Sequence, residues 1–193
     1  MSALIELSGI SKSFASVRVL QDISFDVRAG EVHALLGENG AGKSTLIKIM
    51  GGVHRADSGE MQVKGEAVHF TSPRHAGAHG IAVVHQELLL FPDLTVAENI
   101  FMGHAPRTKW GGLDWPKMRV GARELLDRLQ SQHIDVDARV GALSVANRQR
   151  VEIARALSQD ARVLIMDEPT ASLVEEDVQQ LLSIVRMLRD KGV

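Results

Sequence analysis

The chain has 193 residues, 22 of them basic and 24 acidic, for a formal net charge of -2. It holds no cysteine, which excludes a disulfide scaffold, a thiolate zinc site and a cysteine nucleophile. The charge balance speaks against a grip on nucleic acid through global positive charge, and the length suits one compact domain, or a domain with a subdomain inserted into it.

Short strands and turns open the chain. Ala3 to Leu7 and Val19 to Val27 read as strands, with a turn at Arg28-Ala29-Gly30. Glu31 to Leu36 is an apolar strand feeding straight into a glycine-rich segment, and Lys43 to Met50 is helical until Gly51-Gly52 stops it. Met61 to Val63 and Val68 to Phe70 form a hairpin around Gly65. Pro73 to His79 is a short helix begun by its proline, and Ile81 to Val84 is a second buried strand.

From Glu87 to about Arg139 the pattern is mostly helical. Thr95 and Glu98 have the spacing of a capping box, Gly111-Gly112 and Pro116 mark a loop, and Met118 to Leu129 repeats its leucines at helical intervals. This stretch reads as an inserted helical subdomain. Asn147 to Leu157 is helical again, Arg162 to Met166 is a strand, and Glu175 to Leu188 is a long amphipathic helix that stops near Gly192. No run of 18 apolar residues and no secretory leader pattern occurs, so the expectation is a cytosolic protein able to dock on a membrane protein.

Two segments carry chemistry. Gly37-Glu38-Asn39-Gly40-Ala41-Gly42-Lys43-Ser44 fits G-x-x-x-x-G-K-[ST], with a strand before it and a helix after it. Glycines let successive N–H groups curl toward phosphate oxygens, and the helix start adds its positive end. Lys43 supplies a point charge for the outer phosphates, and the Ser44 hydroxyl is a hard oxygen suited to magnesium. The second segment is the apolar strand Arg162 to Met166, ending in the adjacent carboxylates Asp167 and Glu168. At a strand end facing a ligand crevice, Asp167 would orient magnesium through its water shell and Glu168 would polarise an attacking water.

With both segments in order, the chain resembles the ATPase cassette of ATP-binding cassette (ABC) transporters over essentially its whole length. Phe14 stands where that family stacks an aromatic on adenine, although a lone Phe is also an ordinary core residue. Gln86 matches the Q-loop, a position that is otherwise a solvated loop residue. Ser144, Val145, Ala146 and Asn147 lie where the signature helix begins, and Ser144 is equally a plain helix cap. Asp167-Glu168-Pro169-Thr170 matches the carboxylate pair and the start of the D-loop.

The resemblance implies an α/β fold: a P-loop NTPase core with a mixed sheet, an N-terminal antiparallel β subdomain, and a helical subdomain inserted at about residues 88–147. It implies ATP and Mg2+ as ligands. Nucleotide would be held by Phe14, by 37–44 and by Thr45. Magnesium would be held by Ser44, Gln86 and Asp167, and Glu168, Lys43 and Gln86 would serve the reaction. The signature residues would act in trans on the γ-phosphate of a partner cassette.

Departures narrow the branch. Val145, Ala146 and Asn147 replace the usual Gly-Gly-Gln, and Val174 replaces the usual D-loop Asp. Both features resemble monosaccharide importers, whose polypeptides carry two cassettes in tandem. None of the eight histidines follows Asp167, so no residue fills the switch-histidine position. The expectation is a fragment of a longer protein that binds Mg-ATP and hydrolyses it poorly.

The partners implied are a second cassette, transmembrane permease subunits and, indirectly, a sugar-binding protein. Direct nucleic-acid contact is not expected, and the place implied is the inner face of the cell membrane. Leu88, Leu89, Leu90 and Phe91 suit either a permease-docking surface or the subdomain core. Two other functions compete: a soluble ABC ATPase of translation or repair, for which basic arms and coiled coils are missing, and a nucleotide-gated interaction module without turnover. A GTPase is disfavoured, since no Asn-Lys-x-Asp motif occurs.

Overall fold

A computed structural model describes residues 3–85, 89–171 and 173–193. The chain divides into two compact units. One comprises residues 1–83, 161–167 and 185–193; the other comprises 84–160 and 168–184.

In the first unit, β1 (Ala3–Phe14) and β2 (Val17–Arg28) form a long antiparallel hairpin. β3 (Ser58–Val63) and the two-residue β4 (Glu66–Ala67) complete a four-stranded sheet in the order β2-β1-β3-β4. Alternation in β1 sends Ile5 and Leu7 inward and Glu6 outward. The hairpin at Gly65 is present, with Lys64 and Gly65 both at positive φ. Its second arm is shorter than expected: pairing stops at Ala67, and Val68 and Phe70 turn into the core instead. Helix α1 (Lys43–Met50) buries Leu46, Ile49 and Met50 in that same core, and Gly51 and Gly52 end it as expected. Helix α2 (Pro73–Ala78) starts at a Ser72 cap with Pro73 in its first turn.

β5 (Ile81–Val84) pairs with β6 (Val163–Met166). The Gly80 carbonyl accepts from the N–H groups of both Arg162 and Val163, at 2.8 and 3.0 Å, which fixes where the pair begins.

The strand expected over Glu31 to Leu36 does not form: residues 31–38 have no ladder bonds, and Leu36 is 88% exposed. An apolar run of this kind is a strand only if neighbours pair with its edges. Among the described residues none does.

The second unit is helical, but less continuously than the sequence suggested. Between Leu89 and Arg139 only α3 (Val96–Ile100) and α4 (Trp115–Arg128) form. The capping box is real: Thr95 Oγ1 accepts from the Glu98 N–H at 3.2 Å, and Glu98 Oε2 accepts from the Thr95 N–H at 2.8 Å. Pro116, expected in a loop, lies in the first turn of α4 behind an Asp114 cap, where a missing N–H costs nothing. Gly111-Gly112 is a turn, closed by Thr108 N–H to the Gly112 carbonyl at 2.8 Å. Asn99 is fully buried and ties down the turn before its own helix. Its Oδ1 accepts from the Phe91 N–H at 2.8 Å, and its Nδ2 donates to the carbonyls of Phe91 and Thr95 at 3.0 and 2.9 Å.

Helix α5 (Val145–Leu157) packs against α3 and α4. Helix α6 (Glu175–Asp190) carries Glu175, Glu176 and Asp177 in its first turn, where the helix dipole favours negative charge.

Candidate nucleotide site

The phosphate loop begins at Gly37 and ends at Gly42, the residue before α1. Gly42 has φ +87°, a left-handed conformation that side chains disfavour, and a Cβ there would lie 2.6 Å from Leu20 Cδ2 and 2.7 Å from the Val19 carbonyl oxygen. Only glycine lets the loop fold down onto β2 at this point. Gly40 also has positive φ, 84°, and open space where a Cβ would stand. The Ala41 N–H donates to the Glu38 carbonyl at 3.1 Å, closing the loop into a tight turn.

No side chain caps α1. The first N–H groups of the helix therefore have no side-chain acceptor at its glycine start, which is the arrangement an anion takes up. Lys43 folds back over the loop, donating from Nζ to the carbonyls of Gly37 and Glu38 at 2.6 and 2.9 Å. The ammonium is thus held at the loop mouth by two neutral acceptors, which phosphate oxygens can replace with stronger, charged ones.

Ser44 and Thr45 follow in the first turn of α1. Asp167, partly buried, directly follows β6 in the first unit; exposed Glu168 begins the next segment of the second unit at φ +46°. The hydroxyl of Ser44 and the carboxylate of Asp167 are hard oxygen donors, the kind that suits Mg2+ shared with phosphate and water. Gln86, expected to serve both metal and reaction, lies outside the described residues. Phe14 closes β1 with its ring 42% exposed, so it is not the core aromatic that a lone Phe suggests.

In the second unit, Ser144 is the N-cap of α5, and its Oγ accepts from the Asn147 N–H at 3.3 Å. Val145 is exposed, Ala146 is buried, and Asn147 Oδ1 lies 3.0 Å from His133 Nε2. Leu89 and Phe91 are 58% and 51% exposed, which favours the surface reading of that run over the core reading; Leu88 is outside the described residues.

Sequence reading missed three polar residues on α5. Gln149, buried, donates to the Pro169 carbonyl at 2.7 Å and so holds the segment after Glu168 against α5. Glu152, also buried, is pushed upward in pKa by desolvation, opposed by Arg155, the Leu89 backbone and His85. Arg155 Nη1 donates to the Leu89 carbonyl at 2.9 Å. The signal was available as polar residues at three-residue spacing on one helix face, but spacing alone does not say which face is buried.

The family model described as ABC transporter matches residues 20–171. The ribose import ATP-binding protein RbsA of Chromobacterium violaceum is 50% identical over 188 residues, covering 97% of this chain and 37% of that protein. A putative ribose/galactose/methyl galactoside import ATP-binding protein of Burkholderia ambifaria is 52% identical over 195 residues, covering 100% of this chain and 37% of that protein. The chain thus spans little more than a third of the length of these relatives.

Among solved structures, an ATP-binding cassette of an ABC transporter in its ADP conformation superposes with a TM-score of 0.86 at 28% identity, covering 100% of this chain and 79% of that one. The cbiO1 protein of Clostridium perfringens, part of an ABC transporter complex, gives 0.84 at 25%, covering 100% and 76%. The family model over residues 20–171 and relatives about half identical along nearly the whole chain place it in the ABC transporter family as an ATP-binding cassette.

Proposed function

We propose that the chain is the ATP-binding and ATP-hydrolysing part of an ABC transporter that imports a monosaccharide. The observation that carries this reading is the phosphate loop, where Lys43 is poised over Gly37 and Glu38 and Gly42 opens the helix start. The names and identities of the ribose-import relatives support the substrate class. Residues 37–45 would bind the phosphates of ATP, and Ser44 and Asp167, with Gln86, would hold Mg2+, which neutralises phosphate charge when bound. Glu168 would accept the proton of the attacking water.

Ser144 and the N-terminus of α5 would face the γ-phosphate bound by a second cassette, from a tandem domain or a dimer partner. The exposed Leu89 and Phe91 suit the docking of a permease subunit, which would hold the cassette at the inner face of the membrane. Among the described residues no helix is long and apolar enough to cross a membrane. We assign residues 1–193 to one cassette domain with its helical subdomain at about 88–147. A sugar-binding protein would act only through the permease.

Titration of the purified protein with Mg-ATP tests the reading. Binding that Lys43→Ala weakens by about 100-fold or more, the order expected for losing a charged phosphate contact worth about 3 kcal/mol, supports it. Binding indifferent to that substitution overturns it. Slow turnover is expected of the isolated chain, and turnover that survives Glu168→Gln would remove Glu168 from the reaction.

A further inference from the structure

Phe14 is held by three residues that come from one loop and one strand. His54 meets its ring edge-on, with centroids 5.4 Å apart and planes at 67°. The Lys12 ammonium lies over the ring, 5.5 Å from its centroid. Asp57 holds the strand that carries both Lys12 and Phe14: its Oδ1 accepts from Lys12 Nζ at 2.6 Å, and its Oδ2 accepts from the Ser13 N–H at 2.7 Å. The Asp57 N–H in turn donates to the Ser11 carbonyl at 2.9 Å.

The loop that bears His54 and Asp57 is fixed at its other end to the phosphate-loop helix. The N–H groups of Val53 and His54 both donate to the Lys48 carbonyl of α1, at 2.8 and 3.0 Å. Gly52, at φ +75°, lets this loop pass so close to Ser72 that a Cβ would lie 2.5 Å from the Ser72 carbonyl oxygen. A continuous set of short contacts therefore runs from Lys43 along α1 to His54 and Asp57, and from these to Phe14. Its far end is an aromatic ring left 42% exposed, with a cation on it.

We propose that His54, Lys12 and Asp57 are positioning residues that hold the Phe14 ring at a set distance from the phosphate loop, ready to stack on the base of the nucleotide whose phosphates Lys43 meets. The proposal rests on the reading of Phe14 as the base platform. Its physical content is preorganisation: a ring already fixed in place loses little freedom when the base arrives. The edge-on partner and the cation restrict the ring on a strand end that would otherwise fray.

The test compares ATP with inorganic tripolyphosphate, which has the phosphates without the base, by calorimetric titration of wild type, Phe14→Ala, His54→Ala and His54→Phe. Wild type is expected to bind ATP more tightly than tripolyphosphate. Phe14→Ala should abolish that difference. His54→Ala should weaken ATP by about threefold to tenfold, the factor that corresponds to losing one aromatic pair, and leave tripolyphosphate unchanged. His54→Phe, which keeps an aromatic edge, should restore ATP affinity.

If wild type binds the two ligands equally, the platform reading of Phe14 fails. If Phe14→Ala weakens ATP but His54→Ala does not, the platform stands and the positioning role of His54 is overturned. Loss of affinity for both ligands in His54→Ala, not restored by His54→Phe, would show a merely structural role and would also overturn it.

Discussion

Arg155 reaches out of α5 to donate to the carbonyl of Leu89, at 2.9 Å. One helical turn before it, Glu152 is buried against the same backbone. The two side chains hold the segment that starts at Leu89 onto the helix that begins at Ser144. In the transporter reading, a movement of that segment would therefore be felt along the signature helix.

Breaking this hold is expected to cost stability. Arg155→Ala should destabilise the protein by about 1 kcal/mol, the net worth of one hydrogen bond from a partly exposed charged donor, as read by urea unfolding. Glu152 behaves in the opposite sense. Burial raises its pKa, so the folded state binds its proton more tightly than the unfolded state does. Its favourable contribution is present below the ordinary Glu range and is lost as pH rises through the raised folded value. Glu152→Gln should then stabilise the protein at neutral pH and flatten that part of the pH profile. A loss of stability at pH 7 would contradict it.

Gly42→Ala should be among the most damaging single changes in the first unit. The left-handed backbone and the contacts a Cβ would make with Leu20 and Val19 together predict a loss of about 2–4 kcal/mol. Thermal melting checks this: a midpoint within a degree of wild type would show that the loop refolds around the methyl group.

Ser144 separates two roles by substitution. Ser144→Ala should lower stability by about 1 kcal/mol through loss of the cap. Ser144→Asp keeps a capping oxygen and should hold the helix, yet place a negative charge where a partner's γ-phosphate is proposed to lie. Retained stability with lost turnover in the assembled transporter supports the trans role. Full turnover with Asp would leave Ser144 as a cap alone.

His104 predicts a stability loss on the acid side. It is half-buried, with Nδ1 3.2 Å from the Met102 carbonyl and Nε2 2.8 Å from Ser158 Oγ, and burial pushes its pKa below the ordinary histidine value. The unfolded state binds the proton first as pH falls. The stabilising contribution is therefore complete above the ordinary value and disappears as pH drops through the depressed one. Unfolding measured between pH 7 and 5 should show this slope in wild type and a shallower one in His104→Gln.

Local chemistry was legible where a few adjacent residues decide it. Thr95 and Glu98 form their capping box because both partners lie within one helical turn. Gly51-Gly52 stops α1, and Lys64-Gly65 turns a hairpin, because backbone conformation there depends on the residue itself. Pro116 was misread for a related reason: proline breaks a helix in its interior but fits the first turn, and only the Asp114 cap shows which applies. Of the candidate site, residues 37–44, Ser144 and Asp167-Glu168 stand out by spacing, while the buried contacts of Gln149 and Glu152 and the reach of Arg155 to Leu89 are visible only in the structure.

By itself, then, the sequence determined the capping box at Thr95 and Glu98, the glycine stop of α1 and the family, since each rests on short-range order along the chain. Tertiary structure alone decided three further things. It left Glu31 to Leu36 without ladder bonds, because a strand needs a neighbour that its own residues do not supply. It buried Glu152 against the Leu89 backbone, 63 positions away in sequence by the difference of their numbers. It also joined Phe14 to the phosphate-loop helix through His54 and Asp57, contacts that exist only once β1 and the loop after α1 meet in space.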